Sequence, residues 1–180
     1  NFPCKIKAGV FVLCTEGMVR ATINLLEVVI RKNDFIVVLP NSFIQIHEVS
    51  SDTRISFAGF SSDFMLSGNY VEILLDFMPM ILNSPVISLQ EDVAGLYRNV
   101  YLLLIRAYTL PHSLENKEII RSVLAIFLQG TKELYKRYGK KLDEPLRREQ
   151  ELYRQFIQLL MVHYTKEHEV AFYAEKCGVT

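Results

Sequence analysis

Residues 169–180 read EVAFYAEKCGVT, a short amphipathic helix that runs directly into a glycine. A helix-turn-helix needs a small residue where its two helices cross, and Ala174 meets that need. Gly178, four residues later, can adopt the positive φ of a sharp turn. Val179 can fill the corner, and the Thr180 hydroxyl can cap a second helix. The predicted scaffold of a helix-turn-helix is therefore Phe172, Ala174, Gly178, Val179 and Thr180.

From residue 61 to residue 168 the period changes toward the 3.6 residues of amphipathic helices. Long helices are predicted over 91–110, 113–139 and 146–167, and a shorter one over 70–82 that breaks at Pro79. The stretch 140–146, KKLDEPL, is charged and contains a proline, so it is the predicted linker. The segment SPVISL at 84–89 reads as extended and is expected to return to a sheet.

Residues 1–60 have the period of β-strands instead. Short apolar or alternating runs occur at 10–14, 18–24, 25–30, 35–40, 43–49 and 54–60, separated by polar turns. Strands at this spacing predict a small barrel or sandwich.

The segment FIQLLMVHYTKEHEVAFYAEKCGVT at 156–180 resembles the start of the DNA-binding domain of AraC-type transcription regulators. In that family a helix that ends in His-Tyr, as at His163 and Tyr164, precedes a polar break and a helix like Val170–Lys176. A turn and Val-Thr follow, as at Val179 and Thr180. Cys177 stands where the family usually has leucine, and it can still be buried as a small apolar residue.

The resemblance implies an α+β fold in which a small cupin-like β-barrel precedes a helical dimerisation hairpin and the first helices of a helix-turn-helix. The implied boundaries are 1–89 for the sensor barrel, 90–139 for the hairpin, 140–146 for the linker and 147–180 for a truncated start of the DNA-binding domain. It implies a cytoplasmic regulator, not an enzyme, that forms a homodimer, binds a small-molecule effector and uses no cofactor. The recognition helix would follow Thr180.

Composition agrees with a folded chain of neutral charge. Half of the 180 residues are hydrophobic, and 20 basic residues balance 20 acidic ones. Because nucleic-acid-binding domains usually carry a basic excess, we expect DNA to bind the parent regulator and to bind this chain weakly or not at all. No apolar run reaches the roughly 18 residues that span a bilayer, so no membrane partner is expected.

Polar residues at alternate strand positions are the candidate effector ligands: Arg20, Thr22, Gln45 and His47. If these faces point into the barrel, they would orient a polar effector, and if they point outward they are ordinary solvated residues. The segment 38–49 looks like the strand-turn-strand in which metal cupins place a histidine, but only His47 is present. Three dispersed cysteines and no HxH or HExxH motif predict no metal site.

Helix 91–110 carries large apolar residues on both faces, so it needs more than one packing partner. One face could pack within the monomer and the other on a second copy. The candidate dimerisation residues are Tyr97, Tyr101, Tyr108, Phe127 and Tyr135.

Two other functions are consistent with parts of the sequence. A small cupin enzyme, metal-dependent or metal-independent, would require a metal or an acid–base pair in the barrel, and no catalytic constellation is visible. A helical adaptor would expose an apolar face without a barrel cavity.

Overall fold

The computed structural model describes residues 2–65, 70–109, 117–138 and 166–179, together with Arg148, Leu152, Gln155, Phe156, Leu159, Leu160 and His163. The chain forms two compact units, residues 1–139 and 140–180. The predicted linker at 140–146 and the scaffold residue Thr180 lie outside the described residues.

The larger unit begins with seven strands. They are β1 (Cys4–Lys5), β2 (Ala8–Glu16), β3 (Met18–Ile23), β4 (Leu26–Arg31), β5 (Asp34–Val38), β6 (Phe43–Val49) and β7 (Arg54–Ser61). Helices α1 (Ser62–Met65) and α2 (Tyr70–Asn83), strand β8 (Val86–Ser88), and helices α3 (Glu91–Thr109) and α4 (Lys117–Tyr138) follow.

The strands form two antiparallel sheets of four strands each. Sheet A has the order β1-β6-β3-β4, and sheet B has the order β7-β2-β5-β8. The predicted return of 84–89 to a sheet is confirmed, because β8 pairs with β5. The α+β fold is also confirmed, but no strand pair among the described residues joins the two sheets, so the expected barrel is not closed.

Alternation along β2 and β5 gives sheet B two different faces. Cys14, Ile36 and Val38 point toward sheet A, where they join an aliphatic interior with Val19, Ala21, Ile23 and Ile30. Phe11 and Phe35 point to the other face, where Phe11 stacks on Phe127 of α4 and Phe35 packs against Tyr97 of α3. The first unit therefore has an aliphatic core between its sheets and an aromatic core beneath its helices.

Helix α2 corrects one sequence-based prediction. A break was expected at Pro79, yet α2 continues through Pro79 to Asn83. Proline removes one backbone donor from a helix. The residues on both sides of it, Leu74, Phe77, Met78 and Ile81, are almost completely buried. Burial of this apolar stripe on both sides of the proline outweighs the missing hydrogen bond.

The described positions between Arg148 and His163 are helical, and α5 (Val170–Lys176) follows them in the smaller unit. Among the described residues, no helix is long and apolar enough to cross a membrane.

Candidate functional site

The four candidate effector residues lie on the outward face of sheet A. Thr22 and His47 meet at 2.7 Å between Oγ1 and Nε2, and Gln45 is the register partner of Thr22. Arg20 Nε lies 3.6 Å from Glu48 Oε2 in an exposed ion pair. The structure thus brings these residues together in one outer patch, away from the barrel interior. Their role in ligand binding stays a prediction, and their exposure matches the solvated alternative.

A pairing irregularity brings Glu48 into this patch. The register changes from Ala21↔Ile46 to Arg20↔Glu48, so His47 is the extra residue of a β-bulge. Alternation from Gln45 already directs His47 to the outer face, where its imidazole meets Thr22. The bulge then re-aims Glu48, which lies opposite Arg20 and pairs with it.

An open apolar pocket, here called the barrel mouth, lies where the edge strand β1 pairs with β6 in sheet A. This mouth is a cavity of about 380 Å³ lined by Phe2, Cys4, Ile6, Ile44 and Ile46. Ile6 and Ile44 also pack against the aliphatic interior, so the mouth is continuous with it. Within that interior, burial raises the pKa of the Cys14 thiol, whose Sγ donates to the carbonyl oxygen of Glu16 at 3.2 Å. The aliphatic lining favours an apolar occupant.

A larger open cleft, the β7 cleft, lies beside strand β7. Its volume is about 930 Å³. The lining comes from 57–61 of β7, Asp63 and Phe64 of α1, Leu104, Ile105 and Thr109 at the end of α3, and Ile120 and Arg121 near the start of α4. Phe60 stacks on Phe64 with ring centroids 6.1 Å apart. The cleft is therefore aromatic and aliphatic at its base, with polar groups around it.

Four of the five candidate dimerisation residues are buried inside the first unit. Tyr97, Tyr101, Phe127 and Tyr135 are each at most 6% exposed. Tyr101 packs on Phe127 with ring centroids 5.2 Å apart, which places both in the core. The side chain of Tyr108 lies outside the described residues. The four buried residues cannot contact a second copy in this conformation, so their assignment to a dimer surface is corrected.

The opposite side of α3 is the exposed apolar side. Leu96, Leu102, Leu103 and Ile105 are all at least half exposed. Leu96 and Leu103 are seven residues apart and therefore share one face of the helix. The two-sided character of this helix was visible in its sequence, but the outward side is the leucine side, not the tyrosine side.

The smaller unit shows the geometry around the glycine turn. Gly178 has φ of +67°, the Gly178 N–H donates to the carbonyl oxygen of Glu175, and the Val179 N–H donates to that of Ala174. This pair of bonds is the Schellman motif, which ends α5 through a left-handed residue. The turn predicted at Gly178 is therefore present in the structure.

Tyr173 is the buried anchor of α5, and the sequence analysis missed it. It is 4% exposed, packs edge-on against Phe156, and donates from its hydroxyl to the carbonyl oxygen of Glu167 at 2.7 Å. Phe172, which was chosen instead, is half-buried against His163. The spacing of Val170, Tyr173, Ala174 and Cys177 is the helical signal that identifies the inner face.

An apolar cleft of about 380 Å³, the α5 cleft, lies along that inner face. It is lined by Leu152, Phe156, Val170, Tyr173, Ala174, Cys177 and Val179. Val170 is 79% exposed although it belongs to the apolar face. The face of α5 is thus only partly covered by the described residues of its own unit.

The described part of the chain holds no group of three or more His, Cys, Asp or Glu side chains that could bind a metal ion.

Comparison with solved structures identifies the architecture. The crystal structure of the AraC-like transcriptional activator CuxR matches 97% of this chain with a TM-score of 0.53 and 10% sequence identity. The chain has the fold of an AraC-like transcriptional activator. It spans 58% of the length of CuxR. The likeness to AraC-type regulators is thereby confirmed at the level of the fold, and the helix-turn-helix predicted from residues 156–180 stays a prediction.

Two further neighbours are structures of ToxT from Vibrio cholerae. One matches 98% of this chain and 64% of its own length, with a TM-score of 0.43 and 14% identity. The other, bound to (E)-4-(8-methylnaphthalen-1-yl)but-3-enoic acid, matches 98% and 65% with a TM-score of 0.42 and 13% identity. No family model matches the sequence, and no curated protein matches it.

Proposed function

We propose that this chain belongs to a transcription regulator of the AraC type. In this proposal residues 1–139 sense an effector and dimerise, and residues 140–180 begin the DNA-binding domain. The observation that carries the proposal is the likeness to the activator CuxR over 97% of the chain, in a sequence whose last 25 residues resemble the DNA-binding domain. Because fold alone does not imply function, the proposal needs a test on DNA.

The test is immunoprecipitation of the natural gene product from its own cells, followed by sequencing of the bound DNA. We expect enrichment of a few promoter regions that contain paired half-sites, since dimeric helix-turn-helix proteins read two half-sites at a fixed spacing. A DNA profile identical to that of an untagged strain would overturn the regulator assignment.

The helix-turn-helix part of the proposal is supported by α5 and its surroundings. The Schellman turn at Gly178 ends α5, and the α5 cleft offers an apolar surface on which a second helix could pack. In this motif the second helix enters the major groove. We propose that a helix after Thr180 occupies the α5 cleft with its apolar face. Val170→Asp would then abolish DNA binding by the natural gene product, and Ala171→Asp, on the exposed side, would not.

The dimerisation part of the proposal uses the exposed leucines of α3. A charged residue at Leu103 would be desolvated without a partner in such an interface, so Leu103→Lys would weaken the dimer. Leu25→Lys is the matched control, because Leu25 is 79% exposed in the turn between β3 and β4. Sedimentation equilibrium of the 180-residue chain measures the effect. A wild-type chain that stays monomeric at high micromolar concentration would contradict this part.

The sensing part of the proposal places an apolar effector at the barrel mouth. Ile46→Glu would then reduce binding of the apolar probe 8-anilinonaphthalene-1-sulfonate, measured by its fluorescence. His47→Ala changes the adjacent residue on the outer patch and serves as the control. If only His47→Ala reduces binding, the effector site belongs to the outer patch, as the sequence first suggested.

A further inference from the structure

Strand β7 differs from the three other strands at the edges of the two sheets. β1 has two residues and β8 has three, and the six-residue β4 carries Glu27 and Arg31. β7 has eight residues, and its segment 55–60, ISFAGF, contains neither charge nor proline. Proteins usually protect sheet edges with short strands, charges or proline, because an open edge can pair with another strand. Within the described part of the chain, β7 is bonded to β2 alone, and the one charge that it carries is Arg54 at its first position.

The side chains on β7 also remain exposed. Ile55 and Phe57 are register partners of Cys14 and Val12, so they point to the same side as the aliphatic interior. Sheet A does not cover them, since Phe57 is 68% exposed and Ile55 is 51% exposed. The β7 cleft runs along 57–61 of the same strand. Neighbouring strands lie about 4.8 Å apart, so an added strand would occupy the space directly beside this edge.

Charges near the two ends of β7 favour a second β7 strand as the partner at this edge. Arg54 begins β7 and Asp63 follows its end, and both residues are exposed. In a two-fold antiparallel pair of β7 strands centred on Ala58, Arg54 lies opposite Ser62 of the second copy and beside its Asp63. This contact occurs twice, because a two-fold interface repeats every contact. Arg54 already pairs with Glu16 of its own chain at 2.9 Å, and Asp63 of the second copy would be a second acidic neighbour for it.

The helical surface is compatible with the same arrangement. The end of α3 lines the β7 cleft through Leu104 and Ile105, and Leu102 and Leu103 are exposed on the same two turns. A two-fold axis that passes beside β7 therefore brings the Ile105 sides of the two α3 helices toward each other, whereas Leu103, about 200° further round the helix, faces a different side.

We propose that β7 pairs antiparallel with β7 of a second copy of this chain, so that sheet B continues across the dimer as eight strands. This inference deepens the dimerisation part of the proposed function and rests on it. The added backbone hydrogen bonds would fix the angle between the first units of the two copies.

Two lysine substitutions test the edge and the helix separately in the 180-residue chain. Sedimentation equilibrium would compare Phe57→Lys and Leu103→Lys with the Leu25→Lys control. We expect Phe57→Lys to raise the dimer dissociation constant by about thirtyfold or more, the usual effect of removing a central aromatic contact. Circular dichroism must show that the β-structure is retained, which is expected because the Phe57 side chain is exposed.

The outcomes separate the two proposals. If Leu103→Lys dissociates the dimer and a folded Phe57→Lys does not, the strand pairing is wrong and the helical dimer stands. If only Phe57→Lys dissociates it, the strand pairing stands without the helical contact. A monomeric wild type overturns both. Growth into particles of increasing mass also overturns the strand pairing, because a two-fold pair stops at two copies.

Cysteine cross-linking tests the register even where a lysine variant fails to fold. The background is Cys4→Ser with Cys177→Ser, and the buried Cys14 is retained. In this background Phe57→Cys and Ala58→Cys would each be oxidised with copper phenanthroline. Antiparallel residues directly opposite each other have Cα atoms about 4.5–5.5 Å apart, within disulfide range. We expect a cross-linked dimer for Ala58→Cys, because Ala58 lies opposite its own copy at the two-fold centre, a weaker one for Phe57→Cys, and none for Leu25→Cys. Equal cross-linking at all three positions, or none at position 58, would overturn the proposal.

Discussion

The Tyr135 hydroxyl donates a hydrogen bond to the carbonyl oxygen of Ser84 at 2.7 Å and so fastens α4 to the connection between α2 and β8. We expect Tyr135→Phe to lower the free energy of unfolding by about 1–2 kcal/mol, because the Ser84 carbonyl would lose its donor. Tyr101→Phe is the matched control. The buried Tyr101 hydroxyl has no hydrogen-bond partner among the described residues, so its removal should be neutral or stabilising. Urea denaturation measures both, and equal losses would contradict this distinction.

The Tyr97 hydroxyl lies where a side chain at Gly130 would begin. A Cβ added at Gly130 would press against that oxygen, so glycine permits α3 and α4 to approach closely here. We expect Gly130→Ala to destabilise the chain by about 1–3 kcal/mol, since overpacking outweighs the better helix propensity of alanine.

A double-mutant cycle with Tyr97→Phe checks the cause of that loss. In this background the clashing oxygen is absent, and we expect Gly130→Ala to cost at least about 1 kcal/mol less. Additive effects of the two substitutions would show that the loss arises elsewhere.

Glu91 joins the start of α3 to the turn between β4 and β5. Its carboxylate accepts from Asn33 Nδ2 at 2.7 Å and from Arg98 at 2.6 Å. The hydrogen bond from Asn33, followed by that from Arg98, holds the pKa of the Glu91 carboxyl below its ordinary value of 4.5. A lowered pKa stabilises the folded state above about pH 5, and the contribution is lost as the pH falls through the folded-state pKa.

We therefore expect Glu91→Gln to lower the urea midpoint modestly at pH 7 and to leave it unchanged near pH 3. The effect is small because the carboxylate is exposed and screened by solvent. Glu27→Gln, on exposed β4, is the control and should alter neither midpoint. A loss of the same size at both pH values would show that the charge of Glu91 is not responsible.

Gly178 and Gly95 should respond in opposite directions to alanine. At Gly178 the φ of +67° costs a residue with a side chain about 1 kcal/mol, so Gly178→Ala should loosen the end of α5. Gly95 lies within α3, where alanine should gain about 0.5–1 kcal/mol. Hydrogen exchange of the amides of α5 and α3 follows each effect in its own unit. Faster exchange in α3 after Gly95→Ala would be contrary to this expectation.

The order of strands and helices was accessible from the sequence because it depends on local periodicity. Segment 43–49 alternates between two polar turns, and β6 occupies the same seven residues. Segment 84–89 was recognised as extended from its composition, and β8 lies within it. Gly178 could be assigned to a turn because few other residues accept its backbone conformation.

The sequence did not reveal which side of each helix or strand faces the core, because this depends on contacts between distant parts of the chain. Both sides of α3 are apolar, and only the positions of Phe35 and Phe127 determine that Tyr97 and Tyr101 face inward. The outward direction of Arg20 and Thr22 likewise follows from the pairing of β3 with β6. Helix α2 continues past Pro79 because Phe77 and Ile81 are buried. This burial cannot be inferred from the local sequence.

Strand β5 is a wall shared by two compartments. Phe35 and Val37 serve the aromatic side, whereas Ile36 and Val38 serve the aliphatic side, and all four are buried. A one-residue slip of β5 would exchange aromatic and aliphatic side chains between compartments of unequal size. A shift of β5 therefore displaces side chains on both of its faces at once. Any displacement that begins between the two sheets is in this way passed on to the helices.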